Sequence, residues 1–201
     1  MDFSIVESNL KEQGFDVSCF GTAAEAAAYL DARIDRKTVG IGGSVTVEQM
    51  GLYGLLLSHN TVYWHQHMPQ DMTKQEVRAA ANAADVYISS VNGLAETGEL
   101  INIDGTCNRV SATLYGHEKV YLVVGRNKLA KDFHGALDRA RNVASPRNAM
   151  RLGVKTPCAA KGDKCYDCNS PERICRALAV LWGKPMNGEY EVVLIDEDLG
   201  Y

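Results

Sequence analysis

The strongest constraint on the fold is a run of five apolar residues, Val120–Val124, which reads Val-Tyr-Leu-Val-Val. A strand that is apolar at every position has both faces buried, which is typical of a parallel sheet covered by helices. Shorter runs of this kind recur along the chain, with helical patterns between them. Strands separated by helices indicate right-handed β-α-β crossovers. The sequence therefore predicts an α/β fold, with an open, mostly parallel sheet and helices on both faces.

Apolar periodicity and helix-capping signals place the individual elements. Thr22 and Thr73 are each followed three residues later by glutamate, which matches a capping box at two helix starts. Strands are predicted at 15–20, 38–41, 61–64, 85–89, 100–103, 120–124 and 190–195. Helices are predicted at 4–13, 22–34, 45–57 and 74–84, within 129–150 with a break near Pro146, and from Ser170–Pro171 onward.

Composition and charge exclude several classes of protein. The chain has 201 residues, of which 46% are hydrophobic and 23% charged, an ordinary globular composition. Its net charge of −4 argues against a nucleic acid as partner, because surfaces that bind nucleic acid are usually basic. No window approaches the roughly 18 apolar residues of a membrane span, and the first residues carry acids where a secretion signal needs positive charge. We expect one cytoplasmic domain over residues 1–201, with reduced thiols.

Glycine-rich loops follow several of the predicted strands. In open parallel sheets, ligands bind beyond the carboxyl ends of the strands. Gly42, Gly43 and Ser44 connect a strand to a helix, where glycine allows close approach of the backbone and the helix start offers free N–H groups to an anion. A tight turn without a ligand is the alternative. The loop lacks the third glycine of a dinucleotide-binding fingerprint and the Gly-Lys-Ser/Thr of a P-loop.

Two carboxylates, Glu96 and Asp104, stand beside glycines at the ends of two predicted strands. A carboxylate in such a cleft can act as a general base or a nucleophile, so these are the predicted catalytic residues. The alternative is that Glu96 caps a short helix and Asp104 fixes a turn. The same loops and the next one supply a predicted ligand-binding set, whose cations suit a phosphate or carboxylate on a small anionic ligand. This set consists of Thr97, Gly98, Gly105, Thr106, Asn108, Arg109 and Lys128, together with Gly42, Gly43 and Ser44.

Two histidines, His65 and His67, follow the third predicted strand. Alternate residues of an extended segment point to opposite sides, so the two imidazoles are poorly placed to chelate one metal. Either both face solvent or one of them reaches the pocket.

Four motifs together resemble the lactate-utilisation (LUD, LutC-like) domain family: Ile41–Ser44, Ala95–Gly98, Asp104–Val110 and Val124–Lys128. The resemblance implies the NagB/RpiA/CoA-transferase-like fold. It also implies a component or accessory factor of bacterial L-lactate oxidation to pyruvate in an iron–sulfur oxidase system, with the other subunits of that system as partners. In that superfamily a Glu or Asp on these loops often performs the chemistry. A stand-alone sugar-phosphate isomerase-like or acyl-CoA transferase-like enzyme is an alternative, a metal-carrying interaction module is another, and a homo-oligomer stays open.

Four of the six cysteines stand in a Cys-rich segment, residues 157–176, in the pattern Cys158-x6-Cys165-x2-Cys168-x6-Cys175. The central pair has the spacing at which two thiolates share a metal. A helix capped by Ser170 would place Cys175 near its start, where the helix dipole favours a thiolate. Zinc and a four-iron cluster both take four thiolates, so either is a predicted cofactor. The spacing differs from that of a zinc ribbon or a bacterial ferredoxin, and reduced structural thiols or a redox disulfide are the alternatives.

Overall fold

The structure is a computed structural model that describes residues 2–201. Within these residues the strands, in chain order, are β1 (Asp16–Phe20), β2 (Thr38–Ile41), β3 (Thr61–Trp64), β4 (Val86–Ser90), β5 (Gly93–Ala95), β6 (Leu100–Asp104), β7 (Lys119–Gly125), β8 (Leu129–Ala130), β9 (Ala177–Leu181) and β10 (Glu189–Ile195). Six of them form one fully parallel sheet in the order β1-β10-β7-β4-β2-β3. The predicted α/β fold with an open, mostly parallel sheet is confirmed.

One helix precedes the first strand, and the others lie between strands along the chain. The helices are α1 (Ser4–Glu12), α2 (Ala23–Arg33), α3 (Val45–Gln49), α4 (Leu52–Leu56), α5 (Lys74–Asn82), α6 (Asn108–Leu114), α7 (Phe133–Arg139), α8 (Ser145–Leu152) and α9 (Pro157–Lys161). Both predicted capping boxes are present, at Thr22 with Glu25 and at Thr73 with Glu76. Across residues 2–201 no helix combines the length and apolar character that crossing a membrane requires.

The central strand β7 shows why the large sheet has a core on each face. Tyr121 and Val123 pack into one buried cluster, which α2, α3 and α4 complete. Val120, Leu122 and Val124 point the other way, into a second cluster completed by α1, α5 and α6. Successive side chains of a strand alternate between the faces of a sheet, so an entirely apolar strand requires helices on both sides.

The other four strands form a smaller mixed sheet in the order β8-β5-β6-β9. β6 contains the predicted strand 100–103, but it pairs antiparallel with β5 and with β9 rather than joining the large sheet. A short apolar run does not specify which sheet it joins or in which direction. The antiparallel hairpin matters for the site, because the residues that follow β5 and those that follow β6 lie at opposite ends of it.

Two long predicted helices are interrupted. The helix predicted at 45–57 divides into α3 and α4 at Gly51, which has φ +65°. In the predicted segment 129–150, a π-helical turn at Ala140–Ala144 joins α7 to α8 immediately before Pro146. Proline lacks an N–H and its ring clashes with the carbonyl four residues earlier, and a wider turn relieves both problems. The expected break at Pro146 is therefore a bulge inside a continuing helix.

The helix predicted from Ser170–Pro171 does not form, and residues 162–176 contain neither helix nor strand. The Ser170 hydroxyl accepts a hydrogen bond from the Glu172 N–H and donates one to the Lys155 carbonyl, so it closes a local turn instead of capping a helix. The chain then enters β9 at Ala177. Cys175 consequently lies just before a strand, without the helix dipole that was expected to favour its thiolate.

Candidate functional site

A cavity of about 290 Å³ lies at the carboxyl edge of the large sheet. Its walls come from the loops after β2, β3, β4 and β6, from the turn after β7, and from α5 and α8. Eight of the predicted site residues line it: Gly43, Ser44, Asp104, Gly105, Thr106, Asn108, Arg109 and Lys128. The strand-end loops therefore converge on one pocket, with α3, capped by the Ser44 hydroxyl, at its wall.

The charge of this cavity is opposite to that of the whole chain. The net charge of the protein is −4. Among residues 2–201, the Asp, Glu, Lys and Arg side chains that line the cavity are one carboxylate, Asp104, and five basic groups, Lys74, Arg78, Arg109, Lys128 and Arg151. Cations concentrated in a concave site focus a positive potential that attracts anions.

Lys128 is the most deeply buried of these basic groups, with 4% of its surface exposed. Its Nζ donates hydrogen bonds to Thr46 Oγ1 at 2.6 Å and to Ser90 Oγ at 2.7 Å. No ion pair to Lys128 is found anywhere in residues 2–201. Burial, together with the nearby charges of Arg139 and Arg109, holds the pKa of Lys128 well below its usual value. The environment therefore disfavours protonation of this amine, compared with that of an exposed lysine.

Asp104 lines the cavity, but its oxygens are used by the backbone. Oδ1 accepts hydrogen bonds from the N–H groups of Gly105 at 2.7 Å and Cys107 at 3.2 Å, and Oδ2 accepts one from Val110 at 3.1 Å. Arg109 Nε lies 3.8 Å from Oδ2. These contacts support the alternative in which Asp104 fixes the turn into α6.

Arg109 ties the strands at the floor of the cavity together. Its guanidinium donates to the carbonyl oxygens of Ile103 at 2.7 Å and Ser90 at 3.3 Å, and to Asn102 Oδ1. Gly42 lies against this side chain, and a Cβ on it would stand 3.0 Å from Arg109 Cγ. Gly42 thus acts by close packing beneath the pocket, whereas Gly43 belongs to the wall.

The structure does not bring Glu96 to the cavity. Glu96, Thr97 and Gly98 form the turn between β5 and β6, and this turn packs against α1 through hydrogen bonds from Asn9 to the Glu96 carbonyl and from Gln13 to the Thr97 carbonyl. The predicted pairing of Glu96 with Asp104 assumed two parallel strands. Because the hairpin is antiparallel, the two carboxylates lie at its opposite ends.

The two histidines have separated, as their spacing indicated, and His65 reaches the cavity. Burial, and then the charges of Arg78 and Lys74, lower the pKa of His65 to about 4. His67 instead lies 3.0 Å from Glu48 and stacks on Tyr53. His65 is therefore a neutral ring in a cationic wall.

Sequence reasoning missed several lining residues: Thr46, Lys74, Arg78, Ser90 and Arg151. Lys74 and Arg78 carried a usable signal, because residues four apart lie on the same face of a helix. The sequence alone does not show that this face of α5 points toward the carboxyl ends of the strands.

The four predicted metal ligands are gathered but not arranged as a ligand set. Cys158, Cys165, Cys168 and Cys175 are all free thiols and all line one small cavity of about 10 Å³. Even so, no three His, Cys, Asp or Glu side chains among residues 2–201 are placed to hold a metal ion. The segment is held instead by Arg173, which donates to the carbonyl oxygens of Cys168 at 2.8 Å and Cys175 at 2.9 Å.

The Cys-rich segment also touches the wall of the large cavity. The Arg176 N–H donates to the Asp104 carbonyl at 2.9 Å, and β9 pairs with β6 from there. A Cβ on Gly105 would stand 2.5 Å from the Ile174 carbonyl oxygen, so only glycine permits this approach.

Comparison with known proteins identifies the family. The sequence profile of the LUD domain matches residues 4–195. Among solved structures, a DUF162 family protein from Deinococcus radiodurans is similar over 97% of this chain and 99% of its own, with a TM-score of 0.55 and 14% identity. Ribose 5-phosphate isomerase from Plasmodium falciparum overlaps 54% of this chain and 52% of its own, with a TM-score of 0.33 and 16% identity. No curated protein matches the sequence.

Proposed function

The chain belongs to the LUD domain family, and we propose that it acts in bacterial lactate oxidation, as a component or accessory factor that binds a small anion in the cationic cavity. One observation carries the proposal: among residues 2–201, five lysine and arginine side chains line the cavity, with Asp104 as the single carboxylate side chain. That carboxylate, Asp104, accepts hydrogen bonds from the backbone, so the cations are left without a matching set of acids.

The chemistry of the wall defines the ligand class. Guanidinium and ammonium groups bind carboxylates and phosphates through charge-assisted hydrogen bonds. A volume of about 290 Å³ is near the lower end of the range for small-molecule pockets. Both features favour a short acid or a small phosphorylated compound over a dinucleotide.

Calorimetric titration of the purified protein at low ionic strength tests the binding step, with L-lactate, pyruvate and inorganic phosphate as probes. We expect at least one of them to bind one to one, with an affinity that falls as salt is added. Absence of binding by all three contradicts the proposal. The cellular role is tested separately, because cells that lack this protein should lose growth on lactate, and unchanged growth contradicts that role.

The Cys-rich segment supports a second candidate function, a metal-carrying module that associates with the other lactate-oxidation subunits. Its four thiols line one cavity, and four thiolates are the ligand set of both tetrahedral zinc and a four-iron cluster. Since no three of them are arranged for a metal in residues 2–201, binding requires the side chains to rotate inward.

Elemental analysis of protein purified without oxygen tests this second function. Stoichiometric zinc without colour supports a structural zinc site. Iron and sulfide with visible absorbance support a cluster. Folded protein that contains neither contradicts the metal-carrying function and leaves the anion-binding function untouched.

A further inference from the structure

We propose that Lys128 is a nucleophile that forms an imine with the carbonyl group of a small anion held in the cavity. The inference rests on the proposed anion binding and narrows its ligand class. The ligand would combine an acidic group with an aldehyde or ketone, as in a 2-oxo acid or a phosphorylated ketose.

The position of Lys128 carries the inference. Its amine lies in the cavity wall with 4% of the residue exposed, and its hydrogen-bond partners are the hydroxyls of Thr46 and Ser90. Both hydroxyls have acceptors of their own, since Thr46 donates to the Leu199 carbonyl and Ser90 to the Val123 carbonyl. The amine therefore lies among neutral groups, with Arg109 and Arg139 as the charges that act on it.

A second shielded lysine shows what a purely structural role looks like in this protein. Lys119 has a side chain that is 16% exposed, and its Nζ lies 2.9 Å from Asp16, 3.6 Å from Glu189 and 3.6 Å from Glu191. Burial opposes its charge, but the hydrogen bond to Asp16 and the neighbouring carboxylates outweigh burial and raise the pKa of Lys119. Lys128 has the reverse surroundings. A desolvated lysine beside other cations is how proteins make an amine nucleophilic near neutral pH.

Other side chains of the cavity can bind the acidic group of the ligand. Lys74 and Arg78 on α5 and Arg151 on α8 line the same space, so an acidic group can bind to them while a carbonyl carbon faces Lys128. Among the described residues, Lys128 is thus the only basic group of this wall that combines deep burial with two hydroxyl partners.

The chemical step is redox-neutral and needs no cofactor. The nitrogen lone pair adds to the carbonyl carbon, the carbonyl oxygen takes up a proton that the nitrogen releases, and a carbinolamine results. Its hydroxyl then leaves with a proton as water, and a carbon–nitrogen double bond forms. Thr46 and Ser90, at 2.6 and 2.7 Å from Nζ, are the groups placed to pass these protons.

Reductive trapping tests the inference on the full chain. The protein is incubated with sodium borohydride and either pyruvate, dihydroxyacetone phosphate or L-lactate, and the adduct is located by mass spectrometry. Hydride adds to the imine carbon and leaves a stable secondary amine. We expect one adduct per chain, on Lys128, with at least one of the two carbonyl compounds, and none with L-lactate, which has no carbonyl to form an imine. The relative yield with pyruvate and with dihydroxyacetone phosphate identifies the acidic group preferred.

Matched variants separate the chemistry from binding. Lys128→Arg replaces the amine with a guanidinium that cannot form an imine, so it should lose the adduct, whereas Lys119→Arg should keep it. Peptide mapping of the unaltered protein locates the adduct even where a variant folds poorly. Calorimetric binding of pyruvate or dihydroxyacetone phosphate without an adduct, or adducts spread over exposed lysines, overturns the role of Lys128 and leaves anion binding intact. Failure of every anion to bind overturns the proposed function itself.

Discussion

The amino and carboxyl edges of the six-stranded sheet differ in how their charged side chains are paired. At the amino edge, Lys119 lies within 4 Å of three carboxylates, and Lys37 Nζ lies 2.9 Å from Glu118. At the carboxyl edge, five lysine and arginine side chains among residues 2–201 line the cavity with one carboxylate side chain, Asp104, whose oxygens accept hydrogen bonds from the backbone. Cations are compensated at the first edge and concentrated at the second.

This difference separates folding from function along a single sheet. Opposite charges in contact contribute to the folded state, whereas like charges gathered in a cavity repel one another and cost stability. A natural chain departs from good local electrostatics mainly where a site requires it. The carboxyl edge is therefore where an anionic ligand can neutralise uncompensated positive charge.

The most direct test of this contrast in charge pairing is to remove one buried lysine from each edge. Lys119→Met leaves Glu191, a buried carboxylate with a side chain 4% exposed, without its cation, and we expect a loss of about 3 kcal/mol in the free energy of unfolding. Lys128→Met leaves no carboxylate behind and removes an amine whose protonated form is disfavoured by burial and by Arg139 and Arg109, so the free energy of unfolding should change much less. Urea denaturation measures both variants. Equal losses would show that the two lysines have the same role.

How far the sequence predicts this molecule depends on whether a signal is local. The apolar run at Val120–Val124 predicted β7 and the layered sheet correctly, because every residue of the run is apolar and so indicates burial on both faces of the strand. The capping boxes at Thr22 and Thr73 predicted two helix starts for the same reason. The serine signal at Ser170 is also local, but a turn and a helix cap use the same hydroxyl, so the helix predicted there was wrong.

The site was predictable only in part, because its assembly depends on pairing between distant segments. Gly43, Ser44 and Lys128 follow strands of the parallel sheet, and the rule that ligands bind at strand ends was enough to suggest them. The position of Glu96 could not be predicted, because the three residues of β5 carry no signal that β6 pairs with it in the antiparallel direction. Arg78 was missed because the orientation of α5 is set by packing.

A smaller effect is expected from a change that weakens the carboxyl edge without altering the fold. Arg78 lines the cavity, and its Nε is buried without a hydrogen-bond partner among residues 2–201. Arg78→Gln removes one cation from the ligand and should weaken anion binding about tenfold, which corresponds to about 1.4 kcal/mol. Arg126→Gln is the matched control, because Arg126 lies outside the cavity wall and donates to Asp198 at 2.9 Å. Calorimetry in which both variants bind anions like the unaltered protein would remove Arg78 from the site.

The most specific effect concerns the pH dependence that His65 gives to the free energy of unfolding. Burial, followed by the charges of Arg78 and Lys74, lowers the pKa of His65 to about 4 in the folded chain, against about 6.5 in an unfolded one. The unfolded state therefore binds more protons between these two values. The contribution of the neutral His65 ring to the free energy of unfolding is complete above pH 6.5 and is lost as the pH falls toward 4. His65→Gln should flatten this part of the stability profile, measured by urea denaturation across the pH range, whereas His134→Gln, at an exposed position, should not.

A bound anion should reduce this pH dependence, because negative charge in the cavity stabilises the protonated ring and raises the pKa of His65 toward its usual value. Repeating the series at a saturating concentration of the tightest-binding anion tests that coupling. The difference between the unaltered protein and His65→Gln should shrink in the presence of the anion. If it does not shrink, the anion binds away from His65. The cations of the carboxyl edge would then not act together on one ligand, as the contrast with the amino edge requires.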